Sequence, residues 1–259
     1  MRTGKNKVKE TMYSVIDKTF EQYNCNRNEF INEINSINNK LSLKGANAFC
    51  DKVINNYFAV NIDALSEQNY VLIFSLNNKY YIGHEKRHSR LENRTHYETD
   101  LVKIFEEDKI YKFFTRFKSV LQSFSGDDYS DAKKLINNHA FFIEHLPYWS
   151  TNTPRIDNKD IDWDNWLGAK LSKELFHSII EYMPPKAIIL NGKNTHNVLD
   201  SDPIFNGIDF EKDNIHGKEI YVSTYNNMKI VKCNFVGTVY GPNSNVEKES
   251  LGKLLRSSY

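Results

Sequence analysis

Cysteine is scarce in this chain. Cys25, Cys50 and Cys233 are the only three among 259 residues, scattered and odd in number. They form no CxxC pair, cannot complete a four-cysteine metal or iron–sulfur site, and suit a reducing compartment. An excess of one charge is also lacking, since 34 basic residues against 33 acidic ones leave a net charge of +1. That balance offers no global attraction to nucleic acid, so any such contact has to come from a local patch. No run approaches the roughly 20 apolar residues of a membrane span. The opening Met1-Arg2-Thr3-Gly4-Lys5 leads into charged sequence without the apolar stretch of a signal peptide. A cytoplasmic protein with no membrane partner is expected. Complete catalytic signatures are missing too: neither G-x-G-x-x-G nor G-x-S-x-G occurs, and there is no internal repeat.

What is present is an ordinary globular composition, 40% hydrophobic and 26% charged, long enough to bury a substantial core. Four short apolar runs stand out, at residues 70–76, 141–143, 187–190 and 228–231. They close on polar residues: Asn77-Asn78, Glu144-His145, Asn191-Gly192 and Cys233-Asn234. Short apolar runs separated by helix-like sequence predict a mainly parallel, four-stranded sheet with crossover helices. In such a sheet, ligands bind beyond the carboxyl ends of the strands. The closing residues are therefore the first candidates for chemistry.

Between the runs, residues 101–124 show helical periodicity, a short helix precedes the second run, and 167–182 reads as a helix stopped by Pro184-Pro185. Residues 201–217 read as loop. Residues 219–223 and 228–235 read as two strands of a hairpin turning at Tyr225-Asn226-Asn227, and 246–255 as a last helix. Residues 1–60 read as an N-terminal helical extension, with Phe30, Ile31, Ile34, Ile37 and Leu41 on one face, a break at Lys44-Gly45, and helix again over 46–58. Residues 61–259 form the α/β domain in this reading. The extension is either a cap packed on the core or, given Lys5, Lys7 and Lys9, a surface that meets DNA.

Three local motifs carry chemistry. His84-Glu85-Lys86-Arg87-His88 matches the H-E-x-x-H pattern of zinc hydrolases. A zinc-binding helix needs an apolar face to anchor it, whereas Lys86 and Arg87 fill the intervening positions and Gly83 directly precedes the motif. No metal is expected. Lys86, Arg87, Arg90 and Arg94 in the same stretch admit two readings, a phosphate-contacting loop or a solvated charged one. Asn191-Gly192-Lys193-Asn194 follows a strand and could present backbone N–H groups to an anion, but it lacks the first glycine and the Lys-Ser/Thr pair of a P-loop. Glu144-His145 is the third. Charge is expensive inside a buried strand but can face a cleft at its end, with Tyr148 and Trp149 just beyond as flat stacking surfaces or as core.

Taken together, residues 68–256 resemble the uracil-DNA glycosylase superfamily in its divergent branches. Residues 71–76 with Asn77-Asn78-Lys79-Tyr80-Tyr81 resemble the strand and loop that hold the attacking water. Residues 141–148 resemble the strand whose end reads the extruded base, and 185–193 the third strand and its turn. Residues 231–235 with the loop 236–245 resemble the second motif and the DNA-penetrating loop. The resemblance implies a three-layer α/β/α sandwich and a DNA glycosylase that flips out and hydrolyses off a base without a cofactor. It implies Asn77, Asn78 and Glu144 as catalytic residues, with Glu144 as general base or cation stabiliser. It also implies Tyr81, His145, Tyr148 and Asn234 around the base, and Lys86, Arg87, Arg90, Lys193 and Asn243 on the DNA. The chain departs from the family pattern at Asn77-Asn78, at His145 and at Asn234-Phe235-Val236, which implies a modified base rather than uracil, and phage defence is an admissible role. A non-catalytic nucleic-acid-binding relative is the alternative, and an HExxH zinc hydrolase built on His84–His88 is a third reading behind it.

Overall fold

The computed structural model describes residues 2–40, 49–54, 58–75, 112–126, 131–145, 148–150, 166–192, 195–196 and 202–257. Among these, the helices are α1 (Arg2–Asn24), α2 (Arg27–Lys40), α3 (Lys112–Thr115), α4 (Lys118–Ser125), α5 (Ala132–His139), α6 (Leu167–Tyr182) and α7 (Asn245–Arg256). The strands are β1 (Phe49–Ile54), β2 (Phe58–Ala59), β3 (Val71–Ser75), β4 (Ala140–Glu144), β5 (Tyr148–Ser150), β6 (Ala187–Asn191), β7 (Glu211–Ile215), β8 (Lys218–Tyr225) and β9 (Met228–Cys233). The architecture is mixed α/β, built on one sheet in the order β2-β4-β3-β6-β9-β8-β7.

The four apolar runs become the four adjacent parallel strands β4, β3, β6 and β9. Every residue in them is buried, as expected where helices cover a parallel strand on both faces. The sheet is nonetheless wider than four strands. β2 adds antiparallel to β4 at one edge, and β8 and β7 add antiparallel beyond β9 at the other. β7 falls within the stretch expected to be loop. Its sequence, Glu-Lys-Asp-Asn-Ile, is exposed except at Ile215, so an edge strand of this kind carries no apolar alternation to betray it. The helix expected over 46–58 is also corrected, because β1 and β2 lie there. β1 pairs with β5 in a separate two-stranded sheet, a partner almost a hundred residues away that local periodicity cannot reveal.

Alternation along the parallel strands divides the core in two. Leu72, Phe74, Phe141, Ile143, Ile188 and Leu190 pack against Val8, Met12, Val15 and Ile16 of α1 and Leu171, Leu175, Phe176 and Ile179 of α6. Val71, Ile73, Phe142, Ile189 and Val231 face α4, α5 and α7 through Val120, Leu121, Phe124, Leu135, Ile136, Leu251 and Leu255. Phe142 anchors this second core, with the rings of Phe114 and Phe117 at 4.7 and 5.6 Å. The Tyr70 hydroxyl donates to Met183 O and ties the entrance of β3 to the exit of α6.

Local chemistry sets the element ends. α6 stops before Pro184-Pro185, and Asn226 and Asn227, with φ of 48° and 65°, make the two-residue turn between β8 and β9. Ser244 caps α7 by accepting from Glu247 N at 3.2 Å, while Glu247 accepts from Ser244 N at 2.9 Å. Ser244→Ala removes one half of this reciprocal pair. It is expected to cost about 1 kcal/mol in urea unfolding, with the denaturant slope unchanged.

Candidate functional site

Chain order sets where a ligand can sit. From β3 the chain moves to β4 on one side, then crosses back to β6 on the other and continues to β9. The strand order therefore reverses between β3 and β6, and in a doubly wound sheet the crevice opens at the carboxyl ends there. In-register pairing aligns Glu144, Ser75, Asn191 and Cys233 in one row across those ends. All four are buried.

Asn191 is the hinge of the row. Its Nδ2 donates to Ser75 Oγ at 3.1 Å, and its Oδ1 accepts from Val236 N at 3.0 Å. One buried amide thus joins the end of β3 to the loop after β9. Gly192 follows with φ of 108°, and a Cβ there would lie 2.7 Å from the Phe235 ring. Only glycine fits both the backbone conformation and that packing. The loop held this way closes through Gly237 N to Pro242 O and Asn234 Nδ2 to Tyr240 O, and it exposes Val239 and Tyr240 at 74% and 80%.

Glu144 ends the row on the β4 side. Its Oε2 has no hydrogen-bond partner among the described residues, and burial raises its pKa to about 8. At neutral pH it is a carboxylic acid, able to donate a proton or a hydrogen bond but not to accept a proton as a carboxylate would. Cys233, at the other end, is pushed to about 12 by burial and remains an unreactive thiol.

His145 is adjacent in sequence but lies on the opposite face, because side chains alternate along a strand. Its ring packs near Phe74, with centroids 5.8 Å apart, and Nδ1 lies 3.1 Å from Ser172 Oγ on α6. Burial lowers its pKa to about 3, with the charge of Lys173 acting in the same direction and Asp202 opposing. Beyond it, the buried Asp202 lies 3.7 Å from Lys173 Nζ, and His177 Nε2 stands 3.1 Å from both its carboxylate oxygens. Burial pulls the Asp202 pKa up, but hydrogen bonds from His177 and Ile204 N outweigh it and hold the carboxylate below its ordinary range.

The structure thus separates two residues that the sequence presents as a pair. Glu144 belongs with Ser75 and Asn191, and His145 belongs with Ser172 and the Lys173–Asp202–His177 cluster. Asn234 shares the carboxyl-end rim with Glu144, but β3 and β6 stand between them, and its side chain bonds within its own loop. Asn243 is exposed, and its backbone N–H donates to Glu247 at 2.7 Å. Tyr148 lies in β5, opposite Ile54. Asn77, Asn78, Tyr81, Lys86, Arg87, Arg90 and Lys193 lie outside the described residues, as does the His84–His88 motif. Among the described residues, no three His, Cys, Asp or Glu side chains are grouped to hold a metal. No described helix is long and apolar enough to cross a membrane.

Sequence reasoning missed Ser75, Ser172, Lys173, His177 and Asp202. Asn191 was accessible as the polar end of an apolar run and Ser75 as the one serine inside another, whereas Asp202 sits in a stretch without any periodic signal. No protein-family model, curated protein or solved structure matches this chain.

Proposed function

We propose that this chain is a DNA glycosylase-like enzyme on a three-layer α/β/α sandwich, excising a modified base rather than uracil. Glu144 carries this reading: a neutral carboxylic acid held at the carboxyl end of a parallel strand, beside the point where strand order reverses. The helices packed on both faces of the sheet support the sandwich.

Hydrolysis of an N-glycosidic bond suits such a group. The target nucleotide leaves the stack at a cost of a few kcal/mol. The C1′–N bond breaks with its electron pair going to the base, leaving an oxocarbenium-like sugar. In this scheme Glu144 donates a proton or hydrogen bond to the departing base. Water adds at C1′ and gives up a proton that restores the acid, so the products are the free base and an abasic sugar. Orientation of that water falls to Asn77 or Asn78, with Tyr81 and Tyr148 as pocket walls. Val239 and Tyr240, large hydrophobic side chains largely exposed in the loop after β9, suit insertion beside the vacated position.

One observation favours the alternative of a non-catalytic nucleic-acid-binding protein of the same fold. The Asn234 amide is engaged with Tyr240 O inside its own loop rather than free to hold a leaving base. Alkali-labile abasic sites separate the two readings, scored on double-stranded oligonucleotides carrying uracil and on hydroxymethylated and glucosylated DNA. Product from a modified substrate supports the enzyme, and binding with no lability on any substrate removes it. Tyr240→Ser is expected to weaken DNA binding by about ten- to a hundredfold through lost stacking, with the thermal midpoint unchanged. Unaltered binding would rule out the tip as the wedge.

A further inference from the structure

Asp202 and His177 form a dyad apart from the row of Glu144, Ser75 and Asn191. The Asp202 side chain is wholly buried, whereas the His177 ring on α6 is 43% exposed. An ionised carboxylate can only accept hydrogen bonds, and both Asp202 oxygens lie 3.1 Å from His177 Nε2. Nε2 therefore carries the ring proton. In the neutral ring the lone pair is then on Nδ1, which has no hydrogen-bond partner among the described residues and is not buried. A histidine held in this way presents a nucleophilic nitrogen to solvent. The carboxylate behind it fixes the tautomer and stabilises the cationic ring that forms when Nδ1 takes an electrophile.

The surrounding charge favours an anionic electrophile. Lys173 stands one turn earlier on α6, and its ammonium lies 3.7 Å from the same carboxylate. Lys170, exposed, lies on the same helical stripe a further turn back. Of the two glutamates one turn from His177, Glu174 is paired with Lys18 at 2.9 Å and Glu181 accepts from the Tyr182 hydroxyl. We propose that His177 is a phosphoryl-accepting site, taking the group from a donor of the phosphoramidate class. The Nδ1 lone pair attacks phosphorus in line with the P–N bond of the donor. That bond breaks with its electron pair going to the donor nitrogen, which leaves as an amine and takes a proton from water. The ring keeps its own proton on Nε2, so the phosphorylated imidazole is cationic and faces the Asp202 carboxylate. A dyad that only joined α6 to the Asp202 turn would ask nothing of Nδ1 and give it no preference.

The test treats the full-length chain with potassium phosphoramidate at neutral pH. Peptide mass spectrometry reads each site, and phosphorus NMR assigns the nitrogen. His216 is the internal reference, because it is exposed and its Nε2 lies 3.0 Å from Ser250 Oγ rather than from a carboxylate. His177 is expected to gain the phosphoryl group on Nδ1, about tenfold faster than His216. Modification on Nε2, or a rate no greater than that of His216, overturns the proposal. Asp202→Asn is expected to bring His177 down to the His216 rate, and a folded variant that keeps the wild-type rate overturns it as well. The wild-type comparison decides the matter whether or not that variant folds.

Discussion

Glu144→Gln is expected to abolish an alkaline loss of stability expected of the wild-type chain and, on the proposed glycosylase reading, to lower base excision by about 10²- to 10⁴-fold. The stability effect follows from proton linkage. The folded-state pKa of Glu144 is raised to about 8 by burial, against 4.5 as its ordinary value. Between those values the folded chain keeps a proton that the unfolded chain has released, so stability falls as pH rises. The contribution is complete below about 4.5 and gone once pH has passed through about 8. Glutamine has no proton to lose, so its thermal midpoint should hold level between pH 6 and 9 while the wild-type midpoint drops. Equal slopes in the two proteins would mean that the carboxyl is not the buried acid described. His145 acts in the other direction. Its folded-state pKa of about 3 lies below the ordinary 6.5, so its contribution is present above 6.5 and lost as pH falls toward 3. The two slopes oppose each other between about 4.5 and 6.5. Stability in the wild type should therefore be broadest there and decline on both sides.

The second large effect is expected at Asn191→Ala, about 3 kcal/mol in urea unfolding. The amide bridges two buried groups, Ser75 Oγ and Val236 N–H, and alanine leaves both without that partner. An orphaned buried donor costs about 1–3 kcal/mol, and the vacated volume adds to it. Because Val236 opens the loop carrying Val239 and Tyr240, the same variant should, on the proposed reading, loosen DNA binding at temperatures where it remains folded. A loss below about 1 kcal/mol would show that the loop is held chiefly by Gly192 and Phe235 rather than by the amide.

Much of the framework was legible residue by residue. A strand covered on both faces has to be apolar throughout, so the four runs marked the four parallel strands, and the polar ends Glu144, Asn191 and Cys233 marked three of the four residues in the row across their carboxyl ends. Prolines 184 and 185 set the end of α6, Ser244 and Glu247 the start of α7, and Asn226-Asn227 the β8–β9 turn, because each acts within a few residues of itself. The separation of Glu144 from His145 was legible as well, from the two-residue period of any strand, yet adjacency made them look like partners.

The rest depended on segments that meet only once folded. β1 and β7 owe their conformation to strands they pair with rather than to their own pattern. The alignment of Glu144, Ser75, Asn191 and Cys233 is set by the register of three parallel pairings, none of which joins neighbours closer than about 40 residues. Whether a carboxyl is an acid or a carboxylate follows from burial, and the surroundings of His145 come from groups contributed by α6. Solvation and hydrogen bonding are properties of an assembled environment, and a linear string of residue types carries them only indirectly.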